Sequence, residues 1–201
     1  MEECRSGSAG GDFTPTKNLT LKAQWKEKAQ TPTSYSAQIV FVSNTNAGTT
    51  YTQTITGTNS KLITGQLAAY ADHFTEPANW KFMGWSTIKA ASRHATVYAD
   101  SATVTLKEGT TLKLYAILYQ VDENTKVVTL PGADGQPEGN DNVTVTPPAG
   151  TDIALGNGYV EAPKGSEITQ PAGKIEVMGG TVIVYPDGSI YVPDGSQVKL
   201  P

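Results

Sequence analysis

From Pro148 onward a turn signal recurs every seven or eight residues, at Pro148, Pro163, Pro171, Pro186, Pro193 and Pro201, with Leu155 and Met178 in phase. A step of that length holds one short strand and one tight turn, and it leaves no room for a helix of ordinary length. The two clearest copies read Pro186-Asp187-Gly188-Ser189 and Pro193-Asp194-Gly195-Ser196. Proline presets φ at the second turn position, aspartate suits the third, and glycine accepts the left-handed conformation that closes a G1 bulge. The pattern predicts strands over 181–185, 189–192 and 196–200, joined as a β-meander or stacked as a small β-solenoid. The tract carries too few large apolar side chains to offset the entropy of ordering it alone. It is therefore expected to lean on further repeats, on the preceding region, or on self-association.

Elsewhere β-branched residues outnumber long helix formers and only 17% of residues are charged, which favours strands and turns. The fold class expected is mainly β, with an α+β central module. Strands are predicted over 37–42, 50–56, 80–85, 96–98, 103–106 and 112–118, and a single helix over 66–73 with Thr64 as its cap. Residues 131–142 have almost no apolar content and read as an acidic Gly/Pro linker. The organisation expected is a leader with a remnant strand over 1–31, a module over 32–120, a linker over 121–142 and the turn-punctuated tract over 143–201. In the remnant, Leu19, Leu21, Ala23 and Trp25 align with Leu112, Leu114, Ala116 and Leu118, as if a preceding unit ended there.

Two segments of the central module carry a resemblance. Lys81-Phe82-Met83-Gly84-Trp85-Ser86-Thr87, followed about 25 residues later by Thr111-Leu112-Lys113-Leu114-Tyr115-Ala116, resembles the Listeria–Bacteroides repeat, the B-repeat type of internalin-like surface proteins. In that family a Phe-x-Gly-Trp segment and a closing Thr-Leu-Tyr-Ala strand bracket a small β-grasp-like module. The closing strand here runs on through Ile117, and Asn-rich sequence follows the opening segment Ile39-Val40-Phe41-Val42-Ser43. The resemblance implies a bacterial cell-surface or secreted protein in which such modules act as spacers or adhesive stalks, and it implies no enzymatic activity.

The chemistry-bearing residues agree with that expectation. His73 and His94 are the only histidines, and neither has a second ligand at metal spacing. No Gly-x-Ser-x-Gly elbow is present, and Gly156-Asn157-Gly158 lacks the third glycine of a nucleotide-binding loop. No catalytic, cofactor-binding or metal site is expected, and no cofactor. Asp134, Glu138 and Asp141 are weighed as oxygen ligands for calcium against a solvated linker, without EF-hand spacing. Among the tryptophans, Trp85 is expected in the core, and Trp80 is the candidate sugar-stacking aromatic of an alternative reading as a carbohydrate- or protein-binding adhesin module. Cys4 is the lone cysteine and cannot form an internal disulfide. Asn18-Leu19-Thr20 and Asn142-Val143-Thr144 match glycosylation sequons.

With a formal charge of −4 and a pI near 5.2, the chain lacks the basic field of a nucleic-acid binder. Nor does any apolar stretch reach the ~18 residues of a membrane span. The partners expected are a host or cell-wall protein or glycan, or a second copy through the C-terminal repeat. The start Met1-Glu2-Glu3-Cys4-Arg5 lacks the basic and apolar regions of a secretory signal, so an exported form is expected to be a mature fragment.

Overall fold

The fold is that of a computed structural model in which residues 31–201 are described. The remnant strand over 19–25, Trp25, Cys4 and Asn18 lie outside them. The described chain is mainly β, with sixteen strands and one helical turn. Alternation of outward polar and inward apolar residues sets the first hairpin, β1 (Ser34–Val42) with β2 (Thr50–Thr58), in unbroken antiparallel register from Ser34↔Thr58 to Val42↔Thr50. There follow β3 (Leu62–Gln66), α1 (Tyr70–His73), β4 (Trp80–Ser86), β5 (Val97–Tyr98), β6 (Thr103–Lys107) and β7 (Thr111–Val121). β7 pairs in parallel with β1 and antiparallel with β4, so the strand order is β2-β1-β7-β4 around a central parallel pair, a β-grasp-like arrangement.

β3 and β6 form a separate two-stranded sheet against the inner face of the hairpin. A Cβ on Gly65 would lie 2.7 Å from Ile55 Cγ2, so only glycine lets the two layers approach this closely. The helix is much shorter than its apolar stripe predicts. Residues 62–66 are drawn into pairing with β6, and Thr64 bonds Thr105 Oγ1 at 2.9 Å instead of capping a helix. The one turn that remains starts at Ala69, and the Asp100 carboxylate accepts from Tyr70 N at 3.0 Å.

β7 is the spine of the molecule. Leu114, Ala116 and Leu118 enter the inner core with Phe41, Tyr70, Phe74, Trp80 and Trp85. Ile117 on the opposite face is 3% exposed, and Tyr119 and Val121 pack against a second core. Both faces are therefore covered, which accounts for the nearly continuous apolar run from Leu114 to Tyr119. One edge of β7 is shared in succession. Residues 111–115 pair with β1, while Gln120 and Val121 pair with β8 (Val128–Leu130). Between them lies Asn44, 2% exposed at φ 58, whose Nδ2 donates to Ala116 O at 3.0 Å and to Lys89 O at 2.8 Å.

The segment expected as a linker thus carries a strand. β8 continues the sheet into β9 (Val143–Thr146), and 131–142 folds into successive turns with Pro131, Gly132, Gly135 and Pro137 buried. Gly132 N donates to Pro186 O at 2.8 Å, and a Cβ on Gly135 would collide with Lys89 O. Polar composition made the segment look solvated, but its carboxylates and glycines close tight turns against the body. Residues 32–201 accordingly form one compact unit.

Beyond β9 come β10 (Ala154–Gly156), β11 (Tyr159–Pro163), β12 (Glu167–Gln170), β13 (Gly173–Gly179), β14 (Thr181–Val184), β15 (Ile190–Tyr191) and β16 (Gln197–Lys199). The long sheet runs β7-β8-β9-β12-β13-β16, and a second sheet runs β10-β11-β14-β15, with every pair in the tract antiparallel. Left-handed glycines stand at 150, 158, 165, 173, 180, 188 and 195. Alternate turns close a hairpin within one sheet (β10–β11, β12–β13, β14–β15) or carry the chain to the other sheet. The repeat therefore builds a two-sheet sandwich. Its meander character is limited to single hairpins, and no parallel solenoid stacking occurs in it. Val128, Leu130, Val143, Val145, Val160, Ala162, Ile168, Ile175, Val177, Val182 and Val184 fill its core.

Candidate functional site

The loop after β4 and the β14–β15 hairpin face each other across a groove of about 260 Å³, lined by Ser92, Arg93, His94, Tyr185, Asp187 and Tyr191 with two neighbouring residues. The loop is closed at its base, where Thr87 N donates to Thr96 O at 3.1 Å and Thr96 N to Thr87 Oγ1 at 3.1 Å. Its tip turns at Ser92, whose carbonyl accepts from Ala95 N at 3.0 Å. Asp187 N donates to Ala91 O at 3.1 Å and ties the hairpin to the loop. Two walls about 90 residues apart in sequence are thus held by backbone bonds.

Within the groove the Arg93 guanidinium lies 4.2 Å from the Tyr191 ring centroid, a cation–π contact, and Tyr185 is held edge-on to Tyr159 at 6.2 Å. Asp187 Oδ1 accepts from Ser189 N at 2.9 Å and from Ser189 Oγ at 2.6 Å, which fixes the turn. The arrangement offers aromatic faces, a cation and hydroxyls. Its one hydroxyl–carboxylate pair, Ser189 Oγ on Asp187 Oδ1, closes the turn within its own hairpin.

The residues singled out from sequence fall elsewhere. Trp85 is fully buried, in edge contact with Phe41 at 4.7 Å and Phe82 at 4.9 Å. Trp80, the candidate sugar-stacking residue, is only 8% exposed and belongs to the same core, because its place opposite Gln120 on β4 turns it inward. His73 is exposed at the end of α1 with its ring stacked on Tyr51 at 3.4 Å, and His94 sits in the groove loop.

The three acidic groups of the joint each serve a backbone N–H. Asp141 Oδ2 accepts from Asp134 N at 3.0 Å, Asp134 Oδ1 from Gln136 N at 2.7 Å, and Glu138 Oε2 from Asn46 N at 3.3 Å. Among the described residues no group of three His, Cys, Asp or Glu side chains is placed to hold a metal ion. Asn142 Nδ2 donates to Pro137 O at 3.3 Å, so this sequon asparagine is engaged in the turn.

Burial, with the Glu76 carboxylate second, pushes the Tyr70 phenol up to about 12. It is a core group whose hydroxyl donates to Thr75 O at 3.3 Å. Arg93, Tyr185 and Tyr191 were not singled out from sequence. The one available signal was that Arg93 is, with Arg5, one of only two arginines in the chain.

Comparison with family models, curated proteins and solved structures finds no match to this chain. The functional reading therefore rests on the geometry above and on the residues that carry the resemblance.

Proposed function

We propose that this chain is a non-enzymatic structural module of a bacterial cell-surface or secreted protein, spacing or presenting adhesive domains. The observation that carries the reading is the sharing of β7. One strand pairs with β1 and β4 on the module side and with β8 on the tract side, so load passes between the two parts through backbone hydrogen bonds rather than a loose tether. The two segments of the family-like motif also lie side by side, with Trp85 opposite Ala116 across the β4–β7 ladder. This supports reading the region from 32 to 120 as a module of the Listeria–Bacteroides repeat type. Antibody raised to the protein is expected to label intact source cells, or to find the protein in their medium. Labelling only after lysis would overturn the reading.

The groove supports a second reading, a carbohydrate-binding adhesin module. A guanidinium held on a tyrosine face, beside a second tyrosine and serine hydroxyls, suits a sugar that bears a carboxylate. Glycan-array binding that is lost in Tyr191→Ala and Arg93→Ala, and kept in a variant of the exposed residue Leu155, would favour it over a passive spacer.

A further inference from the structure

We infer that the outer edge of β2 is a self-association edge, which pairs antiparallel with β2 of a second copy of this chain about a twofold axis at Thr54. Among the described residues only β1 pairs with β2, which leaves a nine-residue edge. The other strands that end the tract's sheets, β10, β15 and β16, have two or three residues each.

The direction of the free groups follows from the ladder. Ser43 N donates to Thr49 O at 2.9 Å and Asn59 N to Thr33 O at 3.0 Å, continuing at both ends the register of the hairpin. In an antiparallel pair, hydrogen-bonded and non-bonded positions alternate. The odd-numbered residues of β2 therefore bond to β1, and the even-numbered ones turn their N–H and C=O outward. Those residues are Thr50, Thr52, Thr54, Thr56 and Thr58, all exposed, with their side chains in a row on the outer face.

The strand itself selects the occupant. Natural edges are usually protected by lysine, proline, a bulge or short length, and β2 has none of these. Its threonines are placed symmetrically about Thr54. An antiparallel copy therefore sets Thr54 opposite Thr54, Thr52 opposite Thr56 and Thr50 opposite Thr58, with about ten new backbone hydrogen bonds and no charge opposed to like charge. Shifting the register by two residues keeps the same residue type in contact but forfeits bonds at the ends, so the centred pairing is preferred. α1 and β3 contact β2 through the inward residues Tyr51, Ile55 and Gly57, on the face away from the threonine row. Two paired edges cover less than the ~1,600 Å² of a standard interface, so the association is expected in the range of tens of micromolar.

The test is sedimentation velocity on the full chain from about 1 μM to about 1 mM, together with two double variants whose thermal unfolding is checked first. Thr52→Lys with Thr56→Lys sets like charges opposite each other twice across the axis, and is expected to weaken the dimer about tenfold or more. Thr52→Lys with Thr56→Glu makes the same number of changes but sets opposite charges together, and is expected to keep the dimer. A wild-type chain monomeric throughout the range, or two double variants that associate equally, would overturn the inference.

Discussion

The two cores of this protein are built on opposite plans. In the central module Trp85 meets Phe41, Tyr70, Phe74 and Phe82 with ring centroids between 4.7 and 5.9 Å, so much of the packing converges on one side chain. None of the buried residues of the sandwich core is aromatic, and Tyr119 packs at its margin. Six of its strands, β8, β9 and β11 to β14, contribute one or two aliphatics each, at alternate positions, chiefly valine. A convergent core gains specificity from fitting large flat rings at fixed angles, whereas a distributed core gains extensibility, since each added strand brings its own share of burial. β7 belongs to both, with alternate residues facing the aromatic and the aliphatic side.

Trp85→Ala should be the most damaging single change, costing about 3–5 kcal/mol in chemical denaturation. A loss below about 1 kcal/mol would show that the aromatic core does not converge as described. Next in size, alkaline pH should destabilise the protein through the core of the module. The buried Tyr70 phenol has its pKa raised from 10.0 to about 12, so the unfolded chain ionises first. The stability contributed by the neutral phenol is complete below pH 10 and is lost as pH rises towards 12, by at most roughly 3 kcal/mol. Tyr70→Phe should flatten the stability curve across that window. Acid does not probe this group.

In the sandwich, Val160→Ala and Val182→Ala should each cost about 2 kcal/mol, and no valine there should approach the tryptophan. One valine as costly as Trp85 would break the contrast between the two plans. The finest test lies in the two copies of the turn sequence. Gly188 and Gly195 share φ 84, so alanine carries the same backbone strain of about 1 kcal/mol at either position. Only at 188 does a Cβ come within 3.0 Å of a neighbour, Val143 Cγ2, while nothing lies within 4 Å at 195. Gly188→Ala should therefore lower the midpoint further than Gly195→Ala. Equal losses would mean that the neighbouring valine yields freely.

Much of this was legible in the chain. The strands expected over 37–42 and 50–56 lie inside β1 and β2, and the Pro186-Asp187 turn closes where its residues require, with Gly188 N on Tyr185 O, whereas the second copy closes one residue later, with Ser196 N on Pro193 O. β3 has little local signal, because the β-branched pair Ile63-Thr64 runs straight into Gly65, and its strand form comes from pairing with β6, about 40 residues away. The same pairing shortened the helix. Composition makes the joint look like a linker because it reports polarity, whereas burial of glycine and proline depends on what lies across from them. The groove was invisible for the same reason, since Arg93 and Tyr191 have no local pattern in common.

By itself, then, the sequence determined the mainly-β class, the spacing of the turns and the left-handed glycines that make them, because these depend on φ, ψ and residues within four or five positions. The tertiary structure alone decided which turn closes a hairpin and which crosses between sheets. Pro186-Asp187-Gly188-Ser189 and Pro193-Asp194-Gly195-Ser196 are identical, yet the first joins β14 to β15 and the second leads to β16 beside β13. A turn fixes how sharply the chain reverses. Which edge the emerging strand meets depends on the hydrogen bonds and apolar surface already assembled there.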